Sequence, residues 1–347
     1  MTLLASDREF LKIALRSLAT DLKDTQILIT GGTGVFGSWL LEALIAAQQS
    51  YDLKLSVTVL SRNPEHFKAR RPHLACHPIV SVIPGDVRTF TGLENQFDYI
   101  IHAAAESHNI TGSRLDLVDT IVDGTRRILD FAAKSSNLNG LLFVSSNAVY
   151  GRAPGGQEFI EETCNTSPLI TDGNVEYDES KRMAEALCSL YFQEWALPVK
   201  IARCFPVVGP YLPLDAHFAI GNFIGNALSG GPIQVKGDGT SIRSYLYLAD
   251  LAVWLITILL KGESGQAYNV GSDSAITIAG LAEKVAACFE PKLRVDIEGT
   301  PKSGALVSRY VPSIARATHD LGLYVNYTLD QALANTLEHC RANGLAG

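Results

Sequence analysis

Residues 26–37 read Gln26-Ile-Leu-Ile-Thr-Gly-Gly-Thr-Gly-Val-Phe-Gly37, and this stretch predicts the fold of the first half of the chain. Its β-branched start is typical of a buried strand, and an apolar segment of helical length follows. Gly31, Gly34 and Gly37 would provide a tight turn, close approach of the backbone to a phosphate, and close packing of helix on strand. We therefore predict a dinucleotide site at this helix N-terminus. The alternative is a strand–helix turn that binds nothing.

Apolar runs of strand length alternate with helical segments up to about residue 205. This alternation predicts an α/β fold, a Rossmann-type doubly wound parallel sheet with helices on both faces. Beyond residue 205, clustered prolines and glycines indicate a smaller C-terminal α/β region that completes a substrate cleft. The predicted strands are 27–30, 55–60, 80–83, 99–103, 141–145 and 199–202, and the predicted helices are 35–49, 114–136 and 178–196.

The predicted organisation has three parts. Residues 1–22 form an N-terminal helical extension, because leucines at helical spacing among charged residues are typical of a surface helix. Residues 23–204, with a returning segment at about 240–262, form the dinucleotide-binding domain. Residues 205–239 and 263–347 form the substrate-binding region.

Composition excludes several classes of protein. The net charge of −7, with no block of lysine and arginine, argues against a nucleic-acid partner. The six cysteines have neither C-x-x-C pairing nor metal-ligand spacing, so we expect reduced thiols and no metal site. The most apolar run, 251–260, is shorter than the roughly 20 residues that span a bilayer, and it predicts a buried helix. We expect a soluble, cytoplasmic protein without a secretory signal or a membrane partner.

The end of the second predicted strand bears on the choice between NAD and NADP. An acidic residue there accepts hydrogen bonds from the ribose 2′-hydroxyl of NAD, whereas an arginine accommodates the 2′-phosphate of NADP. This chain has Ser61 and Arg62 there and no carboxylate, so we predict NAD or NADP, with NADP favoured. Alternatively, Arg62 stacks on the adenine or faces water. Asp86, after the third strand, is placed to accept from the adenine amino group, unless it is an ordinary turn aspartate.

Tyr177 and Lys181 stand four residues apart at the start of an apolar helix, so both side chains share one helical face. A nearby ammonium favours phenolate, so Lys181 is expected to lower the pKa of Tyr177 from about 10. The tyrosine could then exchange a proton with a hydroxyl or carbonyl group. Ser146 ends a predicted strand at the edge where open α/β sheets bind ligands, and it could share a substrate oxygen with Tyr177.

Together these segments resemble the extended short-chain dehydrogenase/reductases, in particular the NAD(P)-dependent nucleotide-sugar epimerase/dehydratase family. The resemblance covers residues 25–340 and leaves the N-terminal helix outside. The matching segments are Thr30-Gly-Gly-Thr-Gly-Val-Phe-Gly37, Asp86, His102-Ala-Ala-Ala105, Ser145-Ser-Asn-Ala-Val-Tyr-Gly151, Tyr177-x-x-Ser-Lys181, Arg203-Cys-Phe205, Val208-Gly-Pro210 and Arg243-Ser-Tyr-Leu-Tyr-Leu-Ala-Asp250.

The resemblance implies a catalytic set of Ser146, Tyr177 and Lys181. Tyr177 would take a proton from a sugar hydroxyl while hydride passes to the nicotinamide, Lys181 would lower the pKa of Tyr177, and Ser146 would steady the oxygen. The cofactor-binding residues that it implies are Gly31, Gly34, Val35, Phe36, Gly37, Ser61, Arg62, Asp86, Val87, Ala103, Ala104, Ala105, Tyr177 and Lys181.

The resemblance also implies a nucleotide-sugar substrate. Arg243 aligns with an arginine that binds the diphosphate, a contact that suits a planar and permanently charged side chain. Asn222 aligns with an asparagine that serves the same diphosphate. The alternatives are a salt bridge from Arg243 to Asp250 or Asp238, and a helix-start role for Asn222. The expected substrate-binding residues are Ser107, Asn147, Asn222 and Arg243.

The two residues after Ser146 favour an epimerase or a keto-reductase. Dehydratases of this family have Asp and Glu there and decarboxylases keep the Glu, whereas this chain has Asn147 and Ala148. Glu106-Ser107-His108 still resembles the dehydratase loop, so a 4,6-dehydratase or a decarboxylase remains the alternative. A non-catalytic NAD(P)-binding sensor is a third possibility, although such proteins characteristically lose the Tyr–Lys pair.

Two replacements and one histidine bear on the substrate. Pro206 and Ile121 replace family asparagines, and both replacements leave the exact substrate open. His217 faces either the sugar or solvent.

By resemblance the protein is expected to be a homodimer that pairs helices 114–136 and 178–196 in a four-helix bundle. An apolar stripe on the first of these helices would supply the contact, although the same residues could face the sheet instead. The stripe consists of Leu115, Val118, Val122 and Leu129.

Overall fold

The strand predicted at residues 27–30 lies at the centre of a parallel sheet in the computed structural model. The structure describes residues 3–94, 96–105, 113–151, 157–166, 175–216, 218–301, 304 and 307–344. The strand runs from Gln26 to Thr30, and every residue after Gln26 is buried. A run that is buried on both faces is what a parallel sheet covered by helices requires.

The strands, numbered in chain order, are β1 (Gln26–Thr30), β2 (Ser56–Ser61), β3 (Val80–Pro84), β4 (Tyr99–His102), β5 (Gly140–Ser146), β6 (Val199–Cys204), β7 (Val207–Val208), β8 (Ile233–Val235), β9 (Ile242–Arg243), β10 (Leu246–Tyr247), β11 (Ala267–Val270), β12 (Ile276–Thr277), β13 (Val295–Ile297) and β14 (Arg309–Tyr310). The α-helices are α1 (Ala5–Ala14), α2 (Ala19–Leu22), α3 (Val35–Tyr51), α4 (Pro64–Arg70), α5 (Pro72–Ala75), α6 (Arg114–Ala132), α7 (Glu176–Trp195), α8 (Ala219–Leu228), α9 (Leu248–Lys261), α10 (Ile278–Ala286), α11 (Ala315–Leu321) and α12 (Leu329–Ala342). Short 3-10 helices cover Arg16–Leu18 and Asn147–Tyr150.

The central sheet confirms the predicted doubly wound fold. Among the described residues, seven strands form it in the order β11-β6-β5-β4-β1-β2-β3, and every neighbouring pair is parallel. The strand order reverses between β1 and β4, which pair directly. In open α/β sheets ligands bind in the crevice outside the carboxyl ends of the strands at such a point. The fold therefore puts the glycine turn after β1 beside the expected site.

Helices cover both faces of the sheet, each with its own apolar core. α3, α9 and α1 pack together on one face, and α6 and α7 pack together on the other. The residues of α9 from Leu248 to Leu259 are all buried, as predicted for the apolar run 251–260. The three predicted helices begin and end within four residues of their expected bounds. In the part of the chain that the structure describes, no helix has both the length and the apolar composition to cross a bilayer.

The N-terminal segment departs from the predicted continuous surface helix. It folds as α1, a 3-10 helix and α2, and its leucines at 11, 15, 18 and 22 are buried. Because α1 packs on both α3 and α9, the segment belongs to the main apolar core. Asp7 of α1 is fully buried, and its carboxylate accepts hydrogen bonds from Tyr247 Oη at 2.9 and 3.0 Å.

We expect replacement of Asp7 by asparagine to stabilise the protein at neutral pH. Burial raises the pKa of Asp7 from 3.8 to about 6. The stability that protonated Asp7 contributes is therefore complete below pH 3.8 and is lost as the pH rises through 6. Asp7→Asn should raise the free energy of unfolding by about 1–3 kcal/mol above this window and by much less below it. Urea unfolding at pH 7.5 and pH 4 checks this expectation.

Asp24→Asn is the matched control for that measurement, because Asp24 is exposed and the substitution is the same. A gain for Asp7→Asn of equal size at both pH values would contradict the expectation, since it would not come from the buried charge.

The C-terminal half adds one strand to the central sheet and several small sheets beyond it. β11 pairs with β6 at the edge of the central sheet, although sequence reasoning assigned residues 263–347 to the substrate-binding region. Among the described residues, β7 pairs with β10, β8 with β13, and β9 with β12 and β14. These short strands bring β9, which carries Arg243, to the mouth of the crevice. The division of the chain into a cofactor domain and a substrate region stays a prediction.

Candidate functional site

A single continuous cleft of about 760 Å³ runs from the carboxyl ends of β1 and β2 to β9. Its size lies within the usual range for ligand sites. Among the residues that line it are all of the predicted catalytic and cofactor residues: Gly31, Gly34, Val35, Phe36, Gly37, Ser61, Arg62, Asp86, Val87, Ala103, Ala104, Ala105, Ser146, Tyr177 and Lys181.

The glycine turn lies at one end of the cleft, and its backbone leaves no room for side chains at two positions. Gly31 has φ of 72°, and a Cβ atom there would lie 2.4 Å from the carbonyl oxygen of Ala103. A Cβ atom on Gly37 would lie 2.3 Å from Cα of Gly32, where α3 crosses the turn. At Gly34, by contrast, a Cβ atom would contact only the Gly31 carbonyl oxygen, at 3.3 Å. The backbone at Gly34 is therefore open towards the cleft.

The predicted adenine end of the cleft is formed by Ser61, Arg62 and Asp86. Ser61 is buried and its hydroxyl accepts a hydrogen bond from the Asn63 amide at 3.2 Å, whereas Arg62 is exposed at the rim. Arg88 donates to both oxygens of Asp86, at 2.8 and 3.0 Å, and these hydrogen bonds hold the pKa of Asp86 below its usual value. Asp86 thus has a partner within the protein, and its contact with adenine stays a prediction.

The predicted catalytic residues come from the end of β5 and the first turns of α7. Ser146 is the last residue of β5, and Tyr177 and Lys181 follow one turn apart on α7. Ser146 lowers the pKa of Tyr177, an effect that burial outweighs. Lys181 is buried, and its Nζ donates to the Val144 carbonyl at 2.8 Å and lies 6.0 Å from the centre of the Tyr177 ring. The structure therefore brings the three residues to one point of the cleft.

The expected effect of Lys181 on Tyr177 is not seen in this cleft. Burial raises the pKa of Tyr177 to about 12 and lowers the pKa of Lys181 to about 8. Burial disfavours the charged form of each side chain, and the Lys181 ammonium donates to the Val144 carbonyl oxygen. Spacing along a helix predicted the proximity of the pair but not this desolvation. Tyr177 is accordingly a neutral phenol, and thus a proton donor, at pH 7.

The cleft near Tyr177 has no acidic side chain among the described residues. Asn147 and Ala148 both line it, and the Ala148 amide donates to the Ser146 hydroxyl at 3.2 Å. Asp86, at the other end, is the one carboxylate among the described residues of the lining. Glu106, Ser107 and His108 lie outside the described residues. A reaction that needs a carboxylate beside Tyr177 therefore has no such group among the described residues of this part of the lining.

Arg243 lines the opposite end of the cleft and has no carboxylate partner among the described residues. Its guanidinium donates to the carbonyls of Ile242 and Ser308, at 2.8 and 3.1 Å, and lies 5.2 Å from the centre of the Tyr310 ring. Asp250 accepts hydrogen bonds from Asn326 instead, and Asp238 accepts from Thr240. The alternative of a salt bridge from Arg243 to either aspartate is therefore wrong. A partly buried guanidinium without an acidic partner is suited to an anionic ligand.

One predicted substrate contact among the described residues, Asn222, is not brought into the cleft. Asn222 lies on α8, is half-buried and is absent from the cleft lining, so its contact with a diphosphate stays a prediction. Ser107 and His217 lie outside the described residues. Pro206, by contrast, lines the cleft at the position of the family asparagine, whereas Ile121 is buried within α6.

Sequence reasoning missed several apolar residues that line the substrate end. Most of them follow β6 or precede α8, in the proline- and glycine-rich stretch that showed no periodic pattern. Tyr245 could have been found, because in an extended strand it shares a face with Arg243 two residues earlier. The missed residues include Phe205, Leu212, Phe218, Tyr245 and Ile278.

A buried ion pair lies directly behind the catalytic residues. Arg203 of β6 donates to both oxygens of Glu185 on α7, at 2.7 to 3.2 Å. Glu185 also accepts from the Ser145 hydroxyl at 2.6 Å, and Arg203 reaches the Tyr150 hydroxyl at 3.1 Å. The pair therefore ties α7, which carries Tyr177, to β6, and the Ser145 hydrogen bond ties the same helix to the end of β5.

Comparison with known proteins finds a match over most of the chain. A family model described as the NAD dependent epimerase/dehydratase family matches residues 27–271. UDP-glucuronic acid decarboxylase 3 of Arabidopsis thaliana is 28% identical over 307 residues, covering 86% of this chain and 83% of that protein. The dTDP-glucose 4,6-dehydratase of Neisseria meningitidis serogroup B is 27% identical over 325 residues, covering 88% and 86%.

Solved structures show the same architecture. DesIV, a dTDP-glucose 4,6-dehydratase from Streptomyces venezuelae solved with NAD and TYD bound, superposes with a TM-score of 0.75 and 26% identity, covering 92% of this chain and 97% of that one. An epimerase from Methanothermobacter thermautotrophicus superposes with a TM-score of 0.80 over 97% of this chain and 96% of its own, at 20% identity. The second likeness shows the fold alone.

Proposed function

The chain belongs to the NAD-dependent epimerase/dehydratase family, and from that premise we propose that it is an NAD(P)-dependent epimerase or keto-reductase of a nucleoside-diphosphate hexose. One observation carries the proposal: Tyr177, Ser146 and Arg243 line the same cleft as the glycine turn. A sugar with its reacting oxygen at Tyr177 can therefore present its diphosphate to the guanidinium of Arg243.

The glycine turn fits a bound dinucleotide. Gly31 and Gly37 allow the tight turn and the close packing of α3, and the open backbone at Gly34 leaves room for a pyrophosphate at the helix N-terminus. Ser61 and Arg62 would hold the adenosine ribose and, without a carboxylate there, favour NADP over the NAD found in DesIV. When bound, the nicotinamide would supply reversible hydride transfer.

Tyr177 and Ser146 would transfer the proton and hydrogen bond to the substrate oxygen beside the reacting carbon. Tyr177 Oη, a neutral phenol at pH 7, would donate its proton to a keto-sugar oxygen, and Ser146 would hydrogen bond to the same oxygen. Lys181, whose ammonium donates to the Val144 carbonyl, would pack against the Tyr177 ring at the bottom of the cleft. Donation in the reducing direction needs no prior loss of the phenol proton.

The lining argues against dehydration and decarboxylation. Both reactions use a carboxylate next to the catalytic hydroxyl group in the family, and here Asn147 and Ala148 occupy those positions. Neither side chain can transfer a proton at neutral pH. The decarboxylase and dehydratase activities of the relatives named above are therefore not carried over to this chain.

The first experiment is to denature the purified protein and identify any released nucleotide by mass spectrometry. Tightly held NAD indicates a cofactor that is recycled in each turnover, which favours an epimerase and contradicts the preference for NADP. An empty protein that binds NADPH and reduces a nucleoside-diphosphate 4-keto sugar supports a keto-reductase. A protein that binds neither dinucleotide refutes the proposal, and formation of a 4-keto-6-deoxy sugar identifies a dehydratase instead.

We also propose a homodimer that pairs α6 and α7 with the same helices of a second copy. Leu115, Met183 and Leu190 on these two helices are exposed by 72%, 52% and 48%. Val118 and Val122 are half-buried beside them, whereas Leu129 is fully buried and faces the sheet. The neighbouring apolar side chains suit a symmetric interface.

A charge placed on this face should separate the dimer. Met183→Asp is expected to convert a dimer into a monomer, because it buries an unpaired carboxylate in the apolar interface. Ile13→Asp is the matched control, since Ile13 is 63% exposed on α1. Sedimentation velocity checks the two variants against the unaltered protein. A monomer at every concentration of the unaltered protein would contradict the proposal.

A further inference from the structure

Arg71, between α4 and α5, is a buried charge directly behind the glycine turn. It is 3% exposed and does not line the cleft. Its Nη1 atom donates to the carbonyls of Thr33 and Gly34, at 3.3 and 3.4 Å, and to the hydroxyl of Ser38. Arg71 therefore binds the back of the turn whose front faces the cleft.

The same guanidinium also supports the substrate side of the cleft. It stacks on the ring of Tyr211, with Cζ 4.2 Å from the ring centre. Tyr211 has φ of 74°, in the left-handed region that a bulky residue occupies only when its surroundings impose it. The chain runs from Tyr211 directly into Leu212 and Pro213, which line the cleft. The stack of Arg71 on Tyr211 thus fixes the position from which the chain enters the cleft at Leu212 and Pro213.

The remaining contacts of Tyr211 make its position more rigid. Its hydroxyl donates to Glu42 of α3 at 2.6 Å, and His73 of α5 contacts the same carboxylate oxygen at 2.9 Å. The Trp39 indole donates to the Pro210 carbonyl at 2.9 Å, one residue before Tyr211. These contacts attach the residues before the cleft to α3, the helix that begins at the glycine turn.

No carboxylate in the part of the chain that the structure describes forms an ion pair with Arg71. Its hydrogen-bond partners are two carbonyls and a hydroxyl, while Glu42 is bonded to Tyr211 and His73. A buried charge without an ion pair carries a large desolvation cost that hydrogen bonds offset only in part. Beside a turn that is open to a pyrophosphate, a positive charge attracts the anionic ligand.

We propose that Arg71 is a positioning residue shared by the two halves of the cleft. It holds the glycine turn for the dinucleotide and, through Tyr211, holds the Leu212–Pro213 segment for the nucleoside diphosphate of the sugar. This inference rests on the proposed function for the identity of the two ligands.

Binding measurements on five variants test the shared role. Arg71→Met keeps much of the side-chain volume without the charge, and it should weaken binding of the dinucleotide and of UDP or dTDP by about tenfold each, as expected for a lost charge-assisted hydrogen bond. Tyr211→Leu should weaken binding of UDP or dTDP alone. Tyr211→Phe keeps the stacked ring and should bind both ligands nearly as the unaltered protein does. Arg70→Met is the matched control, because Arg70 is its exposed neighbour.

Isothermal titration calorimetry, at a temperature well below the unfolding transition of each variant, gives each dissociation constant. Hydrogen–deuterium exchange of the ligand-free protein is the second readout, and Arg71→Met should speed exchange both in 31–38 and in 209–214. Arg71→Lys keeps the charge but cannot both stack and reach three acceptors, so it should lie between Arg71→Met and the unaltered protein.

Two results would overturn the inference. The first is an Arg71→Met protein that binds both ligands normally or loses the dinucleotide alone. The second is faster exchange in only one of the two segments. If the unaltered protein binds neither ligand, the proposed function is wrong, and the exchange measurement still decides whether Arg71 holds both segments.

Discussion

Replacement of Tyr177 by phenylalanine is expected to lower kcat by about 10³-fold or more, while both nucleotides still bind. The variant loses only the hydroxyl that, in the proposed function, donates a proton to the substrate oxygen. The ring keeps its place over Lys181, so the shape of the cleft is retained. Steady-state kinetics with the best sugar nucleotide, together with calorimetry of cofactor and UDP binding, separates lost chemistry from lost binding.

Tyr191→Phe is the control for that experiment. Tyr191 lies on the same helix, is buried, and hydrogen bonds to Asp130 away from the cleft. It should leave kcat within about twofold of the unaltered protein, because it lies outside the reacting groups. A Tyr177→Phe enzyme with more than a tenth of the original kcat would show that another group carries the proton.

Replacement of Arg203 by leucine is expected to destabilise the fold by about 3–5 kcal/mol. The side chains of Arg203 and Glu185 are only 17% and 11% exposed, so the variant leaves a carboxylate buried without its counter-charge. Ser145 would remain as its one hydrogen-bond donor among the contacts described above. Urea unfolding at pH 7 measures the loss directly.

The double variant Arg203→Leu/Glu185→Gln tests the cause of that loss. If the unpaired charge is responsible, removing the carboxylate should restore part of the stability lost in Arg203→Leu. A double variant that is less stable than Arg203→Leu would assign the loss to packing instead. Because the pair joins α7, which carries Tyr177, to β6, the single variant should also lower activity at temperatures where it is still folded.

The sequence predicted the parts of this protein that depend on local pattern. The glycines after β1, the serine at the end of β5 and the Tyr–Lys spacing on α7 each lie where a strand or helix end fixes their position. Parallel strands then bring these ends to one edge of the sheet, so three distant segments meet in one cleft.

The parts that were missed depend on the surroundings of each side chain. The pKa of Tyr177 follows from burial, which helical spacing does not reveal. Arg70 and Arg71 are identical neighbours in sequence, yet one is exposed and the other binds the back of the glycine turn. β11 is a four-residue strand whose place beside β6 is fixed by packing at the sheet edge. Tertiary contacts decide all three features.

The packing of the first helix determines when this chain can finish folding. α1 packs on α9, and Asp7 pairs with Tyr247, which is 240 residues further along the chain. Contacts of such long sequence separation make folding slow, because a large loop must close before they form. During synthesis the apolar side of α3 therefore stays exposed to solvent until α9 has left the ribosome and can pack on it. Until then, the exposed apolar surface of the nascent chain is prone to aggregation.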